Sequence, residues 1–417
     1  MTSGPVSIQP DSAVQVAAAL KRASDAQQSI VIRGAGTKDD WGRPAGRIDV
    51  VLDMRRMNRI LAHEHGDMTA TIEAGASLRE VNEALAIHGQ MLPLDPPFAD
   101  RATVGGLLAT NDSGPLRHRY GTPRDLVIGV RLATTDGMLA KAGGQVVKNV
   151  AGYDLSKLVT GSFGSLAAIV SATFKLSPLP AASKTLRMTV ADTTVLAEIV
   201  RIVMSSQLEP IAFEITAGTQ RPQNTQSKES FASLACFAFH IQIRFASLPA
   251  VVDAQIAQAT AALKASVTSI EAVDGDAERA LWEAHATGIW DQAGAVVRAS
   301  WLPANIAAAV DELAGLKPSA TSATQAVAQG FSPALVGRAA VGAGLIRIDG
   351  DTAEQASAIE RLRASSVFGN VVIIRGSAEL KARVDVWGSH GSRQPLFDSL
   401  KRTFDPNNVL NAGRGPL

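Results

Sequence analysis

The order of apolar and polar positions predicts alternating helices and strands up to about residue 178. Apolar residues recur at helical spacing over 11–27, where Asp11 or Ser12 can cap the first turn. A capping-box spacing at 77–80 predicts a second helix, which should stop near Gly89. Short apolar runs predict strands at 30–33, 50–54, 68–73, 126–134 and 138–140, the last two flanking the hairpin signal Asp136-Gly137.

The pattern changes after the proline pair Pro178 and Pro180, which marks a domain border. Beyond it, helix-spaced segments alternate with strand-like runs, which predicts a second α+β domain with an antiparallel sheet. The whole chain is therefore expected to be α+β, with domains at 1–180 and 181–375 and a C-terminal segment at 376–417. The predicted helices lie at 194–205, 250–265, 304–315 and 352–364, and the predicted strands at 239–245, 295–299 and 371–374.

Composition narrows the possible partners. With 40 Lys and Arg against 39 Asp and Glu, the formal net charge is +1, which argues against nucleic acid because phosphate binding needs a basic excess. Hydrophobic residues make up 46% of the 417 residues, enough for sizeable cores in two or three domains. Cys236 is the single cysteine, so this chain cannot by itself hold a cysteine-ligated iron–sulfur cluster.

Targeting and membrane signals are weak. The first basic residue is Lys21, so the charged start of a signal peptide is missing. The uncharged run 158–174 is interrupted by Gly161 and Gly164 and makes a poor membrane span. These features predict a cytoplasmic protein.

A glycine-rich loop follows the predicted strand at 30–33. Backbone N–H groups can converge in such a loop and suit a pyrophosphate. The third glycine of the dinucleotide-binding fingerprint is replaced by Asp39, and no Gly-Lys-Ser/Thr follows as in a P-loop. An ordinary turn is the alternative. The loop consists of Arg33, Gly34, Ala35, Gly36 and Thr37.

Two further glycine-rich segments follow in the chain. The first, at 103–114, has paired glycines that let the backbone approach a flat ring, although a helix packed closely on a strand is the alternative. The second runs from 147 to 158 and leads through Gly161 and Gly164 into an apolar run at 166–170. It predicts a short helical turn, then a glycine-rich entry into a buried strand.

In this order, the three segments resemble the FAD domain of the vanillyl-alcohol oxidase and p-cresol methylhydroxylase superfamily. Within it, the FAD-binding subunits of bacterial glycolate oxidases are the most similar family. The resemblance is strong over 28–180 and 384–414, including the tail from Phe404 to Arg414. It is weak through the middle domain, which in the superfamily is a cap over the flavin.

The resemblance implies a role for each position that matches the family's motifs. The loop from Arg33 to Thr37 would hold the FAD pyrophosphate, and Asn411 would approach the flavin ring. Lys148 could place positive charge beside the flavin, with a surface lysine as the alternative. Thr103, Gly105, Gly106, Asn111 and Gly114 would line the flavin and ribityl path, with backbone contacts from Gly164 and Ile169. The candidates for catalysis are Lys148, Tyr153 and His390, the last with a packed or surface histidine as its alternative.

Departures from the family pattern refine the cofactor prediction. Thr37 stands where covalently flavinylated relatives often carry histidine, so the FAD is expected to be non-covalent. Ala412 replaces a proline and Ala167 a commoner glycine, both small changes.

No resident metal is expected. Relatives that oxidise 2-hydroxy acids carry a His-x-Gly-Asp-Gly-Asn type of segment, and this sequence has none. In the C-terminal half, His240, His285 and His390 are far apart. His63 and His65 form the only close pair, for which an exposed turn between strands is favoured over a metal site.

The resemblance implies the FAD-binding subunit of a multi-subunit glycolate oxidase. Its expected partners are a related FAD subunit and an iron–sulfur subunit, with a small hydroxy acid as substrate and the membrane reached only through the complex. Two alternatives stay open: a free-standing FAD-dependent oxidase or dehydrogenase of another alcohol or hydroxy acid, and a flavin-bearing assembly subunit without turnover.

Overall fold

The structure is a computed structural model that describes residues 4–144, 153–190, 192–219, 237–291, 293–316, 334–411 and 413–416. The chain divides into two compact units. The first is Met1–Leu179 together with Ser389–Leu417, and the second is Pro180–Gly388. Among the described residues, no helix combines the length and apolar character that crossing a bilayer requires.

The first unit combines a small parallel sheet with a larger antiparallel one. Three strands in the order β1-β3-β2 are parallel, and five in the order β4-β5-β9-β7-β8 are antiparallel, with β6 and β10 as a separate pair. The strands are β1 Val6–Ile8, β2 Ile30–Arg33, β3 Val50–Asp53, β4 Ile60–Glu64, β5 Thr69–Glu73, β6 Gln90–Met91, β7 Val127–Ala133, β8 Leu139–Gly143, β9 Ala168–Lys175 and β10 Ser177–Pro178. The helices, numbered along the whole chain, are α1 Ala13–Asp25, α2 Leu78–Ala86, α3 Val104–Thr110, α4 Arg117–Tyr120, α5 Pro123–Leu126, α6 Leu155–Val159 and α13 Gln394–Phe404.

Burial explains why these elements form where they do. Helix α1 buries Val16, Leu20 and Ala23 against the parallel sheet, as its apolar spacing predicts. Strand β9 is buried along almost its whole length because it lies between β5 and β7 in the antiparallel sheet. Half of the predicted capping box is present: the Ser77 hydroxyl accepts a hydrogen bond from the Glu80 backbone N–H at 3.2 Å, whereas the Glu80 carboxylate accepts from the Ser77 hydroxyl and not from its backbone N–H.

The second unit is built on one antiparallel sheet of eight strands, which confirms the predicted sheet. The strand order is β14-β11-β13-β12-β16-β17-β15-β18. Its strands are β11 Ala182–Val190, β12 Ala212–Thr219, β13 Phe237–Ser247, β14 Ser269–Asp274, β15 Ala295–Trp301, β16 Ala334–Arg338, β17 Ala343–Ile348 and β18 Phe368–Arg375. Its helices are α7 Thr193–Met204, α8 Pro249–Leu263, α9 Gly275–Thr287, α10 Ile306–Ala314, α11 Thr352–Ala364 and α12 Ala378–Arg383.

One apolar core fills the second unit. Side chains of α7, α8, α10 and α11 pack on apolar residues of the sheet, among them Phe213, Ile241 and Ile373, which are fully buried. The alternate residues of the strands point the other way. Two of them, Glu214 and Gln242, are buried polar side chains, and His285 from α9 reaches Glu214.

Candidate functional site

Two adjoining cavities lie in the first unit, where β2, α3 and β9 approach one another. The inner cavity has a volume of about 440 Å³, and Met54, Ala74, Ala167 and Ile169 line this cavity alone. The loop cavity, of about 500 Å³, extends along the chain that follows β2. Both cavities are lined by Ile32, Gly34, Thr103, Gly106, Ala109, Phe163 and Asn411.

Glycines keep the loop cavity open. A Cβ atom on Gly34 would lie 2.1 Å from the Thr103 hydroxyl oxygen, so a side chain there would occupy the space between β2 and α3. Gly36 has φ +75°, a left-handed conformation that favours glycine, and a Cβ there would lie 2.8 Å from the Arg33 guanidinium. Arg33, Ala35 and Thr37 complete the predicted loop and line the same cavity.

Cationic side chains surround this loop. Arg414 donates hydrogen bonds to the backbone carbonyls of Lys38 at 2.7 Å, of Trp41 at 3.1 Å and of Asp39. Burial lowers the pKa of Arg414, while Asp39 opposes that shift. Arg33 pairs with Asp39, so Arg33 and Arg414 are both held at the cavity wall.

Lys38 also lines the loop cavity and is almost completely buried. Its ammonium lies 3.2 Å from the Asp112 carboxylate, which is equally buried. Sequence reasoning missed Lys38 and Arg414 as site residues. The available signal for Lys38 was its position directly after Thr37, whereas Arg414 comes from the opposite end of the chain.

Helix α3 presents its first turn to both cavities. Thr103 is the residue that caps it, and its hydroxyl accepts a hydrogen bond from the Gly106 N–H at 3.4 Å. Gly105 packs against Ala74, the residue that follows β5. The Gly105 N–H donates to the Ala74 carbonyl at 2.7 Å, and a Cβ atom on Gly105 would lie 2.7 Å from the Cβ of Ala74. The paired glycines therefore bring the helix backbone close to Ala74, which lines the inner cavity.

Asn411 closes the site from the C-terminal segment. Its backbone N–H donates to the Ile30 carbonyl at 3.0 Å, which adds the segment to the edge of β2. Its side-chain oxygen accepts from the Ile32 N–H at 3.3 Å, and its side-chain nitrogen donates to the Phe163 carbonyl at 2.5 Å. Gly164, at φ +69°, lies against this amide, where a Cβ would be 2.7 Å from the amide nitrogen.

Other predicted site residues lie outside the cavity walls. Asn111 ends α3 in a left-handed conformation and accepts a hydrogen bond from the Arg124 N–H at 3.2 Å. Gly114 packs on Asp95, whose carbonyl oxygen would lie 1.8 Å from a Cβ. Both residues shape the chain around α3, and neither is among the residues that line the two cavities.

The three candidates for catalysis are not brought together. The Tyr153 side chain is 92% exposed and does not line either cavity. His390 makes an edge-to-face contact with the Phe397 ring, at 4.8 Å between centroids, as the packed alternative predicts. Lys148 lies outside the described residues.

Comparison with known proteins decides which cofactor this cavity takes. The family model described as "FAD binding domain" matches residues 5–143. Residues 5–143 therefore belong to an FAD-binding domain. The residues of the site fit FAD, because the cationic loop cavity suits a pyrophosphate and the inner cavity, walled by small and apolar residues, suits a flat ring.

Curated relatives match between about two fifths and one half of this chain. Glycolate oxidase subunit GlcE of Escherichia coli is 37% identical over 183 residues, 44% of this chain and 51% of that protein. Glycolate oxidase subunit GlcD of Bacillus subtilis is 31% identical over 207 residues, 50% of this chain and 44% of that protein. A D-lactate dehydrogenase of Arabidopsis thaliana is 36% identical over 41% of this chain and 30% of that protein. The chain thus spans about half or less of the length of the curated relatives it matches.

A solved structure shows the same fold over both units. Alkyldihydroxyacetonephosphate synthase superposes with a TM-score of 0.68, covering 97% of this chain and 76% of that one, at 20% sequence identity. A second crystal form of the same enzyme gives a TM-score of 0.69 at 18% identity. The likeness confirms the predicted α+β fold.

Proposed function

We propose that this protein is the FAD-binding subunit of a multi-subunit glycolate oxidase or dehydrogenase. The observation that supports it best is the cavity closed by Asn411, in a chain that is 37% identical over 183 residues to a glycolate oxidase subunit. FAD, when bound, accepts two electrons from a hydroxy acid and can release them one at a time to an iron–sulfur partner. Glycolate would thereby become glyoxylate.

The chain's own residues bind and orient the cofactor. Arg33, Lys38 and Arg414 supply positive charge around the loop that would hold the pyrophosphate. Thr37 lines the same cavity and lacks the imidazole that a histidyl–flavin bond requires, which supports non-covalent FAD. Ala167 and Ile169 supply an apolar wall on which a planar ring can pack and from which water is excluded.

The electrons that FAD accepts have to pass to an acceptor, and this is the reason to propose partner subunits. Cys236 is the single cysteine of the chain, so an iron–sulfur cluster on the electron path has to be carried by another subunit. Two relatives are themselves named as subunits of glycolate oxidases. We therefore propose a related FAD subunit and an iron–sulfur subunit as partners, with any contact to the membrane made through that complex.

Substrate oxidation by the isolated chain is not expected. A 2-hydroxy acid needs a group that polarises its hydroxyl and a base that takes its proton. His285 is hydrogen bonded to Glu214 at 3.0 Å, and His240 contacts the Thr189 hydroxyl at 3.3 Å. Within the described ranges of the second unit, no three His, Cys, Asp or Glu ligand atoms converge as a metal site would require.

Anaerobic stopped-flow spectroscopy tests this proposal. The FAD-loaded chain is mixed with glycolate, alone and after reconstitution with its co-purified partners. We expect the flavin absorbance to stay unchanged in the isolated chain and to bleach at the turnover rate in the complex. Bleaching of the isolated chain at that same rate would make this chain the substrate-oxidising subunit. Unbleached flavin in an active complex would instead favour a flavin-bearing assembly role.

A second candidate is a flavoenzyme that acts alone on another hydroxy acid. It is favoured by the buried polar group in the second unit, where Glu214 accepts from His285 and lies 3.6 Å from the Arg338 guanidinium. A buried carboxylate and an imidazole in contact are side chains that general acid–base catalysis uses. The same instrument separates the candidates, with D-lactate and D-2-hydroxyglutarate as additional substrates: bleaching of the isolated chain by either acid would support the second.

A further inference from the structure

Three histidines meet on the surface of the first unit, away from the cavities. His63 lies in β4, His65 in the turn that joins β4 to β5, and His88 just after α2. Ring centroids are 3.7 Å apart for His65 and His88, 4.2 Å for His63 and His65, and 5.3 Å for His63 and His88. One ring nitrogen of each lies within 4.8 Å of the others, the only such ligand group found among the described residues.

The fold brings the third histidine to the first two. His65 lies in an exposed turn as predicted, whereas His63 is half-buried in β4. The turn puts His65 beside His63. Gly89, at φ +65°, turns the chain after α2, so that His88 precedes the short strand β6. His88 is 23 positions after His65, which is why the sequence shows only a pair.

The Gln90 side chain contacts both His63 and the backbone of His65. It is buried, and its side-chain nitrogen donates to the His65 carbonyl at 2.9 Å. Because a carbonyl can only accept, this contact fixes which way the amide faces. The amide oxygen therefore faces Nε2 of His63 at 2.8 Å, and that nitrogen has to donate.

The hydrogen bond to Gln90 selects one tautomer of His63. With the proton on Nε2, a neutral ring keeps a free lone pair on Nδ1. Orienting contacts of this kind are typical of metal-binding histidines.

We propose that His63, His65 and His88 form a binding site for a divalent transition-metal ion of the zinc and copper class. Imidazole nitrogens suit these ions, and three of them around zinc leave a fourth position for water. The His65 and His88 rings are stacked with an interplanar angle of 24°, so they have to turn before their nitrogens can reach one ion at the zinc–nitrogen distance of about 2.0–2.1 Å. His65 and His88 are exposed and can turn.

This site is separate from the flavin and from the hydroxy acid. None of its three histidines lines the inner or the loop cavity. A bound ion would join the β4–β5 turn to the end of α2 and so stabilise the first unit. The inference does not depend on the proposed glycolate oxidase function.

Isothermal titration calorimetry with zinc chloride tests the site, on tag-free FAD-loaded protein dialysed against a chelator and then against buffer. We expect one zinc ion per chain with a dissociation constant of about 10 µM or tighter. The His65→Ala and His88→Ala variants should each weaken binding at least about a hundredfold. Gln90→Leu, which removes only the positioning contact, should keep the stoichiometry and weaken binding about tenfold. Flavin content and absorbance serve as the folding control for every variant.

His390→Gln is the matched control, because it removes a histidine of the same unit that lies outside the group. It should bind zinc as the unchanged protein does. The proposal is overturned by three results: no zinc binding below millimolar concentration, binding retained in His65→Ala and His88→Ala, or equal loss of binding in His390→Gln.

Discussion

The two units of the molecule use polar groups in opposite ways. In the first, backbone groups around Gly34, Gly36 and Gly106 face an open cavity, and side chains such as Arg414 hold that backbone in place. In the second, Glu214 and His285 are buried against each other within a large apolar unit. The first unit therefore depends on positions where side chains are absent, whereas the second depends on side chains that are paired. Substitutions should affect cofactor affinity in the one and folding stability in the other.

The largest effect is expected for Gly36→Val. A branched side chain at φ +75° would meet Arg33 and Asp39 and turn the loop N–H groups away from the cofactor. Losing two or three charge-assisted hydrogen bonds at about 1.5–3 kcal/mol each should weaken FAD binding about a thousandfold or more. Fluorescence titration of the apoprotein with FAD measures this, and acid precipitation of the unchanged protein should release its FAD.

Gly275→Val is the control for backbone strain. Gly275 also has a positive φ, +58°, but lies in the second unit with no atom within 4 Å of a Cβ. It should bind FAD normally despite a similar strain of about 1–3 kcal/mol. Normal flavin content in Gly36→Val, or equal loss in both variants, would contradict the placement of the pyrophosphate.

The next effect should appear in the second unit. Glu214→Ala removes the partner of His285 from a fully buried position, which should lower the free energy of unfolding by about 3 kcal/mol. Urea denaturation measures it, with the exposed Glu198→Ala on α7 as a control expected within about 0.5 kcal/mol of the unchanged protein. The comparison between units fails if Glu214→Ala reduces FAD affinity while leaving stability unchanged.

Arg414→Ala should weaken FAD binding about ten- to a hundredfold. The variant leaves the carbonyls of Lys38 and Trp41 without their donor, so the loop loses its fixed shape. Arg414→Lys should recover little, since an ammonium cannot reproduce the guanidinium's several contacts. Arg393→Ala, an exposed arginine of the same segment, is the control. Full recovery in Arg414→Lys would show that charge alone matters.

The smallest effect concerns Asp53, at the end of β3. Hydrogen bonds from Arg55, and a further one from Gln9, lower the pKa of its carboxyl below 3.8. A lowered pKa stabilises the folded state at pH values above about 4 and loses that contribution as the pH falls. Asp53→Asn should therefore cost about 1 kcal/mol at pH 7, and the difference should shrink below pH 4. A difference that does not change with pH in urea denaturation would refute this.

Local signals predicted much of the fold. The predicted helix at 352–364 coincides with α11, and that at 11–27 contains α1, although the Ser12 side chain makes no capping hydrogen bond. Such elements are legible because burial of one face leaves an apolar period in the sequence. Helix α9 was not predicted, since Glu278 is its only fully buried residue and no apolar stripe marks it.

The candidate site could be predicted from the sequence where its backbone geometry requires glycine. Gly34, Gly36 and Gly106 line the loop cavity, and their binding of FAD stays a prediction. Arg414 was not found this way, because the glycine pattern gives no role to a side chain of the C-terminal segment, although the resemblance had already brought Asn411 of that segment to the site. His88 was not found either, because it reaches His63 and His65 through the arrangement of α2 and the β4–β5 turn.

The link between Asn411 and Ile32 has a consequence for how the protein is made. These residues are 379 positions apart, and the whole second unit is synthesised between them. Ribosomes add about 5–20 residues per second. The N-terminal part of the first unit is therefore synthesised tens of seconds before the C-terminal segment that carries Asn411. Cofactor capture is therefore a late event of biosynthesis, and ribosome-bound chains that stop before Asn411 should emerge without flavin.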